Sequence, residues 1–184
     1  MIFIVGIDPG IRGGWCKVTE CGQVLDYGIF PINKLGIYKF PEVGKLLNTW
    51  RDVVLVVVEE QTALPGNPVR SLAQQCAGYG MLMGQIHGHL YCFNIETVSS
   101  SKWTGGLMRA GYARSKRETG IKVTQGEKFR RASGLLDCAH DGVLDAAGIA
   151  LWKAWSMNGE LKNRRLKMAQ EQGRESLADE WVGT

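Results

Sequence analysis

Residues 53–58 read VVLVVV, and no other stretch of the chain limits its fold so tightly. Five valines around a leucine favour extended backbone, because a branched Cβ packs well on a pleated surface and is crowded in a helix. Successive strand residues point to opposite faces, so a run that is apolar throughout needs cover on both sides. Such a strand belongs in the middle of a sheet with helices above and below. It ends in two carboxylates, Glu59 and Glu60. A second strand-like run, residues 2–8 (IFIVGID), also ends in a carboxylate, Asp8, before Pro9 and Gly10.

The remaining periodicities supply the partners of these strands. Trp15 to Glu20 and Gln23 to Phe30 are rich in β-formers and flank Cys21-Gly22, which predicts a hairpin. Residues 41–51 place Val43, Leu46, Leu47 and Trp50 on one helical face, with Pro41 near the start. Asn67-Pro68 reads as the cap and first residue of a helix reaching about Leu90, with Ala73, Ala77, Gly80 and Gly84 along one side. Residues 91–98 predict a further strand, and Ser99 to Ser101 cap a short helix near Lys102. Residues 110–125 are charged and aperiodic and read as an exposed loop. Short and long helices follow at 127–135 and 139–157, the latter with an apolar face through Val143, Leu144, Ala147, Ile149, Ala150, Leu151 and Trp155. The order predicts an α/β fold: three antiparallel strands, then parallel strands, flanked by helices. Residues 1–157 form one domain in this reading. Residues 158–184 are a charged tail or surface helix, with five positive and five negative side chains beyond Gly159.

Charge and cysteine usage narrow the setting. The net charge is +4, but Lys102 to Arg131 holds nine Lys/Arg against Glu118 and Glu127. That stretch carries +7, and the rest of the chain −3, which suggests an anionic partner, nucleic acid first. No apolar run approaches the roughly 18 residues of a membrane helix. The start of the chain lacks the features of a signal peptide. Cys16, Cys21, Cys76, Cys92 and Cys138 are scattered and form no C-x-x-C pair, so they read as reduced thiols, and a cytoplasmic location is expected.

Four carboxylates stand where solvation alone does not explain them. Asp8 and one of the Glu59-Glu60 pair end apolar strands, and Asp141 and Asp145 share a face of the last helix beside its packing stripe. Carboxylates gathered in a protected place repel one another unless a cation neutralises them. Hard oxygen donors from several elements suit Mg²⁺ or Mn²⁺. A pair of such ions serves phosphodiester hydrolysis. In this reading Gly10, Gly13 and Gly14 leave room for phosphate and metal beside Asp8. Each acid also has an ordinary structural explanation, such as Asp8 capping a turn or Asp141 sitting in the first turn of its helix.

With GIDPG, VVVEEQ and HDGVLDAAGIALW on the page, the chain resembles the RuvC-type Holliday junction resolvases in their shorter bacteriophage form, nucleases of ribonuclease H-like fold. The segments LAQQCAGYGMLMGQIHG and VSSSKWTGGLM extend the resemblance to residues 1–157 or so. It implies a Mg²⁺-dependent endonuclease acting on branched DNA as a homodimer, in the host cytoplasm if the chain is phage-encoded. It implies two metal ions held by Asp8, Glu60, Asp141 and Asp145; the family's central glutamate precedes Gln, which selects Glu60. In the bacterial enzymes the last two acids are three apart, and here they are four apart, with His140 or Asp137 as alternatives to Asp141. Lys102, Arg109, Arg114, Lys116, Arg117, Lys122, Lys128, Arg130 and Arg131 are expected to neutralise phosphates, with Arg70 and the loop 61–70 at the branch point. Trp103 is expected in the core, and Met81, Met83 and Trp152 in the core or a dimer interface. The small-residue side of the helix after Pro68 is the expected dimer surface.

Competing readings are another ribonuclease H-like nuclease, RNA-directed or transposase-like, and a junction-binding protein without activity. An actin- or sugar-kinase-type ATPase also begins G-I-D-x-G. It needs two such domains and a second phosphate loop, which 184 residues do not hold, so no nucleotide cofactor is expected.

Overall fold

The computed structural model of the chain describes residues 2–10, 12–34, 36–61, 69–89, 94–112, 121–159 and 163. Five strands, β1 (Phe3–Asp8), β2 (Gly14–Thr19), β3 (Val24–Ile29), β4 (Val53–Glu59) and β5 (Asn94–Val98), form one sheet in the order β3-β2-β1-β4-β5. β2 is antiparallel to both of its neighbours, β1 and β3, while β4 runs parallel to β1 and β5 parallel to β4. This is the mixed sheet expected from the element order. The VVLVVV strand lies inside the sheet, as a run apolar on both faces requires.

The helices are α1 (Phe40–Asn48), α2 (Val69–His89), α3 (Ser100–Arg109), α4 (Glu127–Ser133) and α5 (Asp141–Met157), with a 3-10 turn at Val123–Gln125. They cover the sheet in two layers. On one face Val5, Ile7, Trp15, Val56 and Val58 pack with α1 (Val43, Leu47) and α2 (Leu82, Ile86). On the other, Ile4, Cys16, Val18, Leu55 and Val57 pack with α3 (Trp103, Leu107) and α5 (Leu144, Ala147, Ile149, Leu151). The parity of β1 and β4 follows: Ile4 and Asp8 share the α5 face, as do Leu55, Val57 and Glu59.

α5 approaches the sheet so closely that side chains are excluded from the contact. A Cβ on Gly6 would lie 2.3 Å from the carbonyl oxygen of Ala146 and 2.5 Å from the amide of Ala150. Gly13 and Gly142 form a parallel β-bridge that ties the turn after Asp8 to the first turn of α5. A Cβ on Gly14 would lie 2.7 Å from the Val143 amide. Gly14 therefore makes room for the helix backbone, and Gly13, whose Cβ would run into the Asp8 and Gly10 backbone, for the tight turn itself; neither makes room for a ligand, which corrects the expectation drawn from sequence. Gly10 is under no such pressure; its amide donates to Asp8 Oδ1 (3.3 Å).

The segment read as an aperiodic loop is partly core. Tyr112 stacks on Trp155 with centroids 4.7 Å apart, and Val123 and Thr124 are buried. Trp103 is buried, as expected. Ala73, Ala77, Gly80 and Gly84 of α2 are all exposed, so their side of the helix is open within this chain. Among the described residues no helix is long and apolar enough to cross a membrane. Residues 158–184 lie outside the described residues, apart from 158, 159 and 163.

Candidate active site

At the ends of β1 and β4, where α5 begins to cover the sheet, a cleft of about 390 Å³ opens. It is lined by Asp8, Glu59, Asp145, Lys122, Val123, Ser100, Trp103, Thr104 and Met108. β1 and β4 are in parallel register, with Ile7 opposite Val58, so Asp8 and Glu59 leave neighbouring strands at the same level and on the same face. Asp145 comes from the first turns of α5, one residue from the Ala146 carbonyl that touches Gly6.

Each carboxylate is held by donors. Asp145 is buried; its Oδ1 accepts from the hydroxyl of Thr124 (2.6 Å) and its Oδ2 from the ammonium of Lys122 (2.5 Å). Glu59 Oε1 accepts from the indole nitrogen of Trp103 (3.3 Å). Tyr38 donates to the carbonyl of Pro9 (2.8 Å) and steadies the turn that follows Asp8.

The electrostatics are those of acids crowded away from water. Burial, then the charges of Asp145 and Glu59, push the Asp8 carboxyl up to about 7, against the Gly10 amide and Lys122. Glu59 is also raised, by burial first and by Asp145, although Ser100, Trp103 and Lys122 oppose this. Burial pulls the Lys122 ammonium down, but its hydrogen bond to Asp145, with the charges of Asp145, Asp141 and Asp8, outweighs burial and raises it.

The structure corrects the placement expected for Glu60. It follows the last residue of β4, is exposed, and accepts from the Thr97 hydroxyl (3.0 Å) away from the cleft. Strand parity is the physical reason: Glu60 belongs to the face of Val56 and Val58, and Glu59 to that of Val57 and Asp8. Asp141 is exposed in the first turn of α5, where its Oδ1 accepts from Gln125 (2.9 Å), and it does not line the cleft. His140 caps α5, its Nδ1 accepting from the Val143 amide (3.3 Å), and Asp137 is exposed in the preceding loop. Thr124, which sequence reasoning passed over, sits in a short 3-10 turn too brief to show a period.

Among the expected DNA contacts, Lys102, Arg109 and Lys128 are exposed. Lys122 is inside the cleft. Arg130 is half-buried and donates to the Leu136 carbonyl (3.1 Å), and Arg131 pairs with Glu127 on the same helix (2.5 Å). Arg114, Lys116 and Arg117 lie outside the described residues, as does the side chain of Arg70.

Asp8, Glu59 and Asp145 offer hard oxygen donors of the kind that Mg²⁺ and Mn²⁺ take, and the mutual repulsion that raises Asp8 is what a divalent cation would relieve. In donor chemistry the residues fit such an ion. Among the described residues, no group of three or more His, Cys, Asp or Glu side chains forms a ready metal cage; the cation at Asp145 is Lys122.

No protein-family model matches the sequence, and no curated protein sequence matches it. Solved structures do match in fold. RuvC of Thermus thermophilus in complex with a Holliday junction substrate superposes with a TM-score of 0.61 at 19% identity, over 86% of this chain and 97% of that one. A further Thermus thermophilus RuvC structure gives 0.55 at 19% identity, over 86% and 97%. The yeast mitochondrial Holliday junction resolvase Ydc2 gives 0.52 at 16% identity, over 91% of this chain and 83% of that one. The chain has the RuvC-type, ribonuclease H-like fold.

Proposed function

We propose that this chain is a structure-selective endodeoxyribonuclease that cuts Holliday junctions and other branched DNA by metal-dependent phosphodiester hydrolysis. One observation carries the reading: Asp8, Glu59 and Asp145, from two strand ends and a helix, line one cleft of a sheet with the resolvase fold. We assign these three as the holders of Mg²⁺ or Mn²⁺, two ions in the full site, with Asp141 at the rim. When bound, such ions supply an activated water and charge stabilisation on the leaving oxygen.

The protein's own part is positioning. β1 and β4 hold Asp8 and Glu59 on rigid backbone, Thr124 fixes the rotation of Asp145, and Trp103 that of Glu59. Lys102, Arg109 and Lys128, with Arg114, Lys116, Arg117 and Arg70, bind phosphates and so position the DNA without reading its sequence. Paired cuts in a four-way junction call for two copies about a two-fold axis. The open side of α2 is the surface we assign to that contact.

The experiment offers labelled four-way, three-way and linear DNA to the protein with Mg²⁺ or with EDTA, and reads products on a gel. Cutting confined to branched DNA and to Mg²⁺ is expected. Asp8→Asn is expected to lose cutting by at least about a hundredfold while still shifting the junction, as removal of a metal-holding acid should. Undiminished cutting by that variant would refute the assignment.

A further inference from the structure

The segment just before α4 contributes to the acids in an unusual way. Lys122, Thr124 and Gln125, within four residues, each donate to a carboxylate of α5. At Asp145 the two oxygens are divided between them. Thr124, fully buried, takes Oδ1 with a neutral hydroxyl, and Lys122 takes Oδ2 with a full positive charge. The ammonium is a point charge at the end of a four-carbon stem, with its side chain 43% exposed beside a carboxylate only 10% exposed. It lies in the cleft shared with Asp8 and Glu59. An ammonium bonded to one of three acids in a cleft, on a flexible stem that is nearly half exposed, is a replaceable cation.

We propose that Lys122 is the built-in counter-ion of this site: its ammonium holds the place on Asp145 Oδ2 that a divalent cation takes, and cation loading expels Lys122 into the cleft, free to meet a phosphate. This rests on the metal-holding role assigned to the acids above. Two properties follow. Competition from Lys122 weakens divalent binding in the absence of DNA. The same event that loads the site releases a positive charge where a backbone phosphate would lie, so metal and DNA binding favour each other by linkage.

The test uses the full chain without DNA. Mn²⁺ is titrated by calorimetry into the wild type and into Lys122→Met, and acetic anhydride labelling followed by mass spectrometry reads the reactivity of Lys122 with and without saturating Mn²⁺. Lys153, paired with Glu96 at 2.6 Å and distant from the cleft, is the internal reference. Lys122→Met is expected to bind Mn²⁺ at least about tenfold more tightly, as loss of a competing ion pair allows. In the wild type, Mn²⁺ is expected to raise Lys122 labelling several-fold relative to Lys153. Labelling that stays constant or falls on saturation would overturn expulsion even if affinity rose, because simple charge repulsion would then explain the variant. Failure of both proteins to bind Mn²⁺ would overturn the metal site itself, and this inference with it.

Discussion

At the scale of single residues, Glu59 and Glu60 are the sharpest case. Both end the same apolar strand, and a run of valines carries no polarity to say which face is which. The choice is made by the pairing of β4 with β1, a contact between residues some fifty positions apart in the chain. Glu59→Gln is expected to lose Mg²⁺-dependent cutting by at least about a hundredfold, and Glu60→Gln to stay within a few-fold of wild type, as measured by initial rates on a four-way junction. Asp8 gives a second check that needs no DNA. Its carboxyl binds a proton more tightly in the folded chain, about 7 against an ordinary 3.8, so the folded state retains the proton in a range where the unfolded chain has released it. In EDTA, stability is therefore expected to fall as pH rises from about 4 to about 7, by at most about 4 kcal/mol. Asp8→Asn should flatten that slope and be the more stable protein at pH 8 in thermal melts. Asp8 and Asp145 are legible from sequence because a lone acid at the end of an apolar strand, or beside a packing stripe, contradicts its surroundings. Thr124 is not, because a hydroxyl next to a valine contradicts nothing.

Among elements, β1, β4 and α5 are readable because their apolar patterns run for six residues or more. The 122–125 turn is not, because three residues of 3-10 helix show no period; its buried Val123 and Thr124 stand in a stretch dominated by charge. Nor does sequence disclose how α5 meets β1. The helix has 12 buried residues of 17, which says that it is central but not which of its turns touches the sheet. Gly6 settles the contact by offering no side chain at all. Gly6→Ala would press a methyl group against the Ala146 carbonyl and is expected to cost about 3 kcal/mol or more, read as a lower urea midpoint. Because Asp145 adjoins that contact, cutting in native buffer should fall in the same variant, although no acid has been altered.

For the molecule as a whole, charge and shape divide the work. The basic stretch from Lys102 to Arg131 is not one uniform phosphate surface. Tyr112 and Val123 are core, Arg130 braces the loop before α5, and Lys122 faces the acids. Arg131 is exposed but paired with Glu127; the other exposed cations among its described residues are Lys102, Arg109 and Lys128. Junction affinity is expected to fall steeply with salt, and the triple variant at these positions should flatten the plot of log affinity against log salt by about 2–3. Fluorescence anisotropy across a salt series measures both slopes. The chain order of the acids has a consequence of another kind. Two of them stand on strands made early, while Asp145 arrives on the last described helix and lines the cleft only when that helix has docked on β1. A polypeptide still emerging from the ribosome, or one cut short before α5, carries Asp8 and Glu59 without Asp145 opposite them, so under the proposed nuclease role unfinished copies are expected to leave the DNA around them uncut.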